Sequence, residues 1–146
     1  MTFSSSTYSG VPEEFTSGIR PHKKPIQMLT ATCHCGAIKI GVPREPETLT
    51  ECNCSICRRY GVLWAYYGDA EVTLTAAHGA TDDYVWGEKT QKYIRCKHCG
   101  CVMQWKKFAI DADTWTGVNA RNFEPSIIGK VPVRLLDGAD TWEYIG

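Results

Sequence analysis

From Met28 onward the chain runs as short apolar stretches broken every few residues by Gly, Pro, Asp or Thr, the rhythm of strands and turns. Residues 37–42 set Ile38, Ile40 and Val42 on one face, and Pro43, which has no N–H to give to a ladder, ends the run. The same alternation, carried by aromatic and β-branched residues, predicts strands over 62–67, 71–75, 83–86, 91–96, 102–105, 114–118 and 131–136. Trp64 and Tyr66 share one face of their strand and read as core. Two short helical turns are predicted: 55–60, with Ser55 as N-cap and Gly61 as stop, and 124–128, with Gly129 as stop. Neither is long enough to form a layer, and no solenoid repeat or heptad is present. The expectation is a mainly β fold of antiparallel strands with irregular connections.

Residues 1–27 break this rhythm. They hold Ser4-Ser5-Ser6, Pro12, Pro21 and Pro25, with Phe3, Tyr8, Phe15 and Ile19 at no regular period, and read as a flexible or loosely docked N-terminal extension. The functional domain is expected over 28–146. With 146 residues, 43% of them hydrophobic, one domain with a sizeable core is the default. Sixteen basic residues balance sixteen acidic ones, so no overall positive field exists to hold a phosphate backbone, and nucleic acid is not expected as a partner. The N-terminus lacks the basic start and apolar run of a signal peptide, which points to the cytoplasm. No stretch approaches the roughly 20 apolar residues that span a bilayer, so no membrane partner is expected.

Eight cysteines then need a role, and a reducing compartment favours metal or catalytic chemistry over disulfides. Cys-x-Cys pairs are in any case too close to cross-link easily. The cysteines form three clusters: Cys33-His34-Cys35-Gly36, Cys52-Asn53-Cys54-Ser55-Ile56-Cys57 and Cys96-Lys97-His98-Cys99-Gly100-Cys101. A C-x-x-C-G knuckle such as 96–100 turns backbone amides toward its thiolates and is a strong zinc signal, but it supplies only two of the four ligands a structural zinc needs. Cys33 and Cys35, also followed by glycine, are the natural second pair. That assignment leaves Cys52, Cys54 and Cys57 together on one tight loop, three ligands with an open fourth position, as catalytic zinc commonly has. In the other partition Cys101 or a nearby histidine closes the second site and both metals are structural. Cys101 is expected to pack as a small apolar group, and His34 and His98 to face solvent.

Three thiolates leave the zinc site at about minus one charge and make the metal a weak Lewis acid, poorly suited to activating water. A thiol entering the fourth position is better served, since zinc stabilises its thiolate while the sulfur stays nucleophilic. Arg58 and Arg59 follow Cys57 directly. Arg58 reads either as a partner for substrate carboxylates or as part of a solvated basic turn, and Arg59 as surface.

The three cysteine clusters, in this order and at these intervals, resemble those of the glutathione-dependent formaldehyde-activating enzyme family, which includes centromere protein V. The resemblance runs from about Thr30 to Val118, and Val118-Asn119-Ala120-Arg121 and Val133-Arg134-Leu135-Leu136-Asp137-Gly138 extend it toward the C-terminus. It implies an Mss4-like fold of small antiparallel sheets around zinc sites. It also implies two zinc ions per chain, a structural one on Cys33, Cys35, Cys96 and Cys99 and a catalytic one on Cys52, Cys54 and Cys57. The implied activity is that of a carbon-sulfur lyase: glutathione adds to formaldehyde to give S-hydroxymethylglutathione, its sulfur held as thiolate at the second zinc. Arg58 and Arg121 are then candidates to bind the carboxylates of glutathione or another small thiol, although Arg121 also reads as a residue closing a turn. The competing reading is a non-catalytic zinc module, a thiol carrier or protein-binding domain that shares only the scaffold.

Overall fold

The computed structural model describes residues 28–146; the N-terminal extension expected over 1–27 lies outside the described residues. In chain order the elements are β1 (Leu29–Thr32), β2 (Ile38–Val42), β3 (Leu49–Cys52), α1 (Ser55–Tyr60) and β4 (Trp64–Gly68). A 3-10 turn, Asp69–Glu71, leads into β5 (Thr73–Ala76), β6 (Thr81–Tyr84), β7 (Gln91–Cys96), β8 (Val102–Lys107) and β9 (Trp115–Asn119). A second 3-10 turn, Ala120–Asn122, then α2 (Pro125–Ile128) and β10 (Val133–Leu136) complete the order.

The fold is mainly β, as the alternation predicts. A three-stranded antiparallel sheet has the order β1-β2-β5, and a seven-stranded sheet the order β10-β3-β4-β9-β8-β7-β6. Ile38, Ile40 and Val42 are completely buried on the inner face of the small sheet, each stabilising the fold by about 1.5–3 kcal/mol relative to exposure. They pack in one core with Ala65 and Tyr67 of β4, Met103 and Val118. The other face of β4 carries Trp64, buried, and Tyr66, half-buried; both belong to a second core with Ile56, Val62, Tyr93 and Val102. Because successive residues of a strand point to opposite faces, β4 separates the two cores. Cys33 and Cys96 belong to the first, Cys52 and Cys57 to the second.

Four expectations are corrected. Strands β1 and β3 lie where none was predicted, because Leu-Thr-Ala-Thr and Leu-Thr-Glu-Cys carry too few apolar residues to show the pattern; Thr50 is buried through a 2.8 Å hydrogen bond with the Tyr144 hydroxyl. The strand predicted at 83–86 sits at Thr81–Tyr84, an edge strand whose carboxylates pair across the ladder, Asp82 with Arg95 at 2.8 Å and Asp83 with Lys92 at 3.2 Å. Val85 and Trp86 pass instead into the connection to β7, closed by a Lys89 N–H to Trp86 carbonyl bond of 3.1 Å. Ser55 opens α1 but does not cap it: the N-cap is Cys54, with extended backbone and no side-chain cap bond. Finally, β10 pairs with β3 in parallel, setting Leu136 opposite Cys52, in an otherwise antiparallel sheet. Among the described residues no helix is long and apolar enough to cross a membrane.

Candidate metal centres

The first sulfur cluster is built from two turns that the fold brings together. The Sγ atoms of Cys33, Cys35, Cys96 and Cys99 all lie within 4.8 Å of one another. Cys33 follows β1 and Cys96 ends β7, both buried, and each pair is closed by a glycine with left-handed backbone, Gly36 at φ 86° and Gly100 at φ 83°. A Cβ at either glycine would meet nothing within 4 Å, so glycine is required there by conformation rather than space. Backbone N–H groups turn inward, Ile38 N–H to Cys33 Sγ at 3.3 Å and Cys99 N–H to Cys96 Sγ at 3.5 Å.

Zinc–sulfur bonds of about 2.3 Å in a tetrahedron place the sulfurs about 3.8 Å apart. Cys33 and Cys35 sulfurs are 3.7 Å apart, and those of Cys35 and Cys96 3.6 Å. The thiols also titrate unevenly. Burial opposes the Cys33 thiolate, but the Ile38 N–H and neighbouring thiols outweigh it and hold its pKa below the ordinary value. At Cys99 burial is again overcome, by the Cys101 and Cys35 amides, and the pKa falls to about 5. Cys35, despite the Ala37 N–H that favours its thiolate, is pushed up to about 12 by burial and by neighbours that have already ionised. Sulfurs this close cannot all carry charge alone; a dication lets them.

The second cluster comes from one continuous segment. Cys52 ends β3, Cys54 caps α1, and Cys57 lies one turn into the helix, their sulfurs within 4.8 Å of one another. Cys57 receives the Trp64 indole Nε1–H at 3.2 Å. Cys52 is drawn down to about 6, first by the Cys57 thiol and also by the Cys54 and Gly138 amides, and Cys57 is pushed up in turn by the Cys52 sulfur and by burial. Cys52 and Cys57 are buried; Cys54 is half-buried and opens on a cavity of about 580 Å³. Arg58, Trp86, Tyr93 and Trp142 are among its walls.

The 137–142 segment closes one side of this cavity. Asn53, between two of the cysteines, donates to Asp137 Oδ1 at 3.0 Å and accepts from the Ala139 N–H at 2.9 Å. Gly138 is thereby pressed onto the cluster, so tightly that a Cβ there would collide with Cys52 Sγ and lie 3.2 Å from Cys54 Cβ. Asn53 lies inside the second cysteine motif and Gly138 inside the C-terminal stretch that extends the resemblance, but no local signal marked Trp86, Tyr93 or Trp142 for this site, since each reaches it from a segment distant in the chain. Arg121 is not brought to the cavity: its Nε donates to the Gly61 carbonyl at 2.6 Å, at the C-terminal end of α1. Cys101 is half-buried against the first core and outside both sulfur groups, and His34 and His98 are exposed.

A family model described as glutathione-dependent formaldehyde-activating enzyme matches residues 28–127, which hold both sulfur clusters. The chain belongs to that family. Among solved structures, a crystal structure of a Rhodobacter sphaeroides protein is similar at 27% identity and a TM-score of 0.56, over 72% of this chain and 99% of that one. No curated protein matches. Membership in the glutathione-dependent formaldehyde-activating family agrees with two cysteine clusters able to hold metal ions, one of four sulfurs and one of three.

Proposed function

We propose that this protein is a zinc-dependent carbon-sulfur lyase that joins a small thiol, glutathione in the first instance, to formaldehyde as an S-hydroxymethyl adduct and runs the same step in reverse. The observation that carries the reading is the asymmetry of the two clusters: four sulfurs enclose one, whereas the other has three and meets a 580 Å³ cavity through Cys54. Cys33, Cys35, Cys96 and Cys99 are assigned to a structural zinc and Cys52, Cys54 and Cys57 to a catalytic one. Bound there, zinc supplies a thiophilic Lewis acid that keeps an incoming thiol ionised at neutral pH yet nucleophilic.

The chain's own residues supply the rest. Arg58 presents a guanidinium fork to a carboxylate of the tripeptide. Tyr93 is buried, and burial pushes its phenol up to about 12, so it stays protonated at neutral pH. Gln91 Nε2 donates to the Tyr93 oxygen at 2.9 Å, which leaves the phenolic proton free for an oxygen in the cavity. In the addition, a thiolate sulfur bonds to the carbonyl carbon, the carbon–oxygen π bond breaks, and the oxygen takes up a proton. Tyr93 hydrogen-bonds that oxygen as charge develops. Trp86 and Trp142 give the cavity wall apolar surface. Arg121, outside the cavity wall, is assigned the turn-closing role, its Nε donating to the Gly61 carbonyl.

The test is exchange between formaldehyde and glutathione. The two-zinc protein should accelerate it above the spontaneous rate, and Cys54→Ser should abolish the acceleration. Exchange at the background rate with both metals bound would sink the reading for this substrate.

A further inference from the structure

The cavity beside Cys54 does not stop at Trp86. A second hollow of about 510 Å³ shares Ser55 and Trp86 with it and is walled further by Arg59, Tyr60, Tyr84 and Arg95. Consecutive positions on a helix point about 100° apart, which is why Arg58 faces the first cavity and Arg59 the second. Exposed aromatics are unremarked singly, but here Tyr84 and Trp86, 44% and 43% exposed, stand with Tyr60 around one hollow.

The two cations are held in place. Arg95 bonds Asp82 at 2.8 Å, which offsets its charge but uses only part of its five-donor fork. Arg59 is anchored on the Ser55 carbonyl at 2.8 Å and has no carboxylate partner among the described residues. The hollow therefore combines flat apolar walls with a guanidinium that is paired to no carboxylate among the described residues. Formaldehyde, with one carbon, needs no such room.

We infer that this hollow is a subsite for an aromatic carboxylate, its ring against Tyr84 and Trp86 and its acid on Arg59. It extends the proposed reaction to thiol adducts whose S-substituent carries an aromatic acid. It rests on that reading for the position of the thiol, whereas binding of the aromatic acid itself needs neither metal nor turnover.

The probe is naphthoate, titrated calorimetrically into the full chain, with the Trp86 indole N–H resonance reporting its place. One naphthoate should bind and move that resonance. Arg59→Gln and the neutral analogue naphthylmethanol should each weaken binding about tenfold, and Tyr84→Ala should weaken it further; both substituted side chains are exposed, and an unchanged melting temperature verifies the fold. Saturating S-methylglutathione should leave naphthoate bound. Absence of binding, equal binding of the alcohol, indifference to both substitutions, or displacement by S-methylglutathione would each overturn the subsite. Naphthoate binding in a protein that fails the formaldehyde exchange would sustain the subsite and remove the reaction.

Discussion

The Trp64 indole donates to Cys57 Sγ across 3.2 Å, so the side chain at the centre of the second core also fixes one sulfur of the three-cysteine cluster. Trp64 is 1% exposed, and this sulfur is the partner its N–H finds. Trp64→Phe keeps a ring in the core and removes the donor. Loss of such an outer contact typically costs about 10–100-fold in metal affinity, and that loss should fall on the second zinc alone. Chelator competition that releases the two metals separately checks this; equal weakening of both would show a general loss of fold.

Gly138 stands against the same cluster from the C-terminal side. The added methyl of Gly138→Ala has to displace either Cys52 Sγ or the 137–142 segment, and overpacking of this kind costs about 1–3 kcal/mol. The expected outcome is a folded protein that retains one zinc per chain instead of two, with a lowered melting temperature. Metal analysis of the purified variant decides it.

Cys33 and Cys35 are matched to Cys96 and Cys99 because each pair supplies only two of the four ligands a structural zinc needs. The convergence of Cys52, Cys54 and Cys57, by contrast, was legible in spacing because ligands two or three residues apart are local geometry. The span of α1 was legible for the same reason, between the cysteines and Gly61. What was not legible depends on partners far along the chain. Thr50 becomes core only through Tyr144, the parallel β10–β3 pairing joins segments some 80 residues apart, and Gly138 meets Cys52 only because Asn53 holds Asp137 and Ala139. Trp86 has the alternation of a strand residue, yet the turn closed by Lys89 carries it into a cavity wall. Arg121 reads either as a carboxylate partner or as a residue closing a turn, and its neighbours in sequence do not reveal that the carbonyl it bonds is that of Gly61.

Tyr93 and Arg58 line one cavity but are assigned different work, and kinetics separates them. Tyr93→Phe removes a hydrogen bond that matters as the oxygen gains charge, so kcat should fall about 100-fold while KM for glutathione is retained. Arg58→Gln removes binding common to ground and transition states and should raise KM about tenfold with kcat kept. A fall in kcat alone for Arg58→Gln would reverse the assignment.

Metal uptake by the second cluster should depend on pH in two stages. Zinc binds thiolates, so each ligand still protonated must release its proton, and affinity rises with pH about tenfold per unit for every proton released. Cys52, drawn down to about 6 mainly by the Cys57 thiol, contributes to that slope only below pH 6; above it the thiolate already exists. Cys57 is pushed up by Cys52 and by burial, keeps its proton through the neutral range, and goes on contributing there. Affinity for the second zinc should therefore climb throughout, most steeply below pH 6 and less steeply above it. Competition with a chelator of known protonation, from pH 5 to pH 8 and with the first zinc retained, measures both slopes. A single slope across pH 6 would mean that Cys52 holds its proton like an ordinary thiol, and that the Gly138 amide and its neighbours do not stabilise its charge.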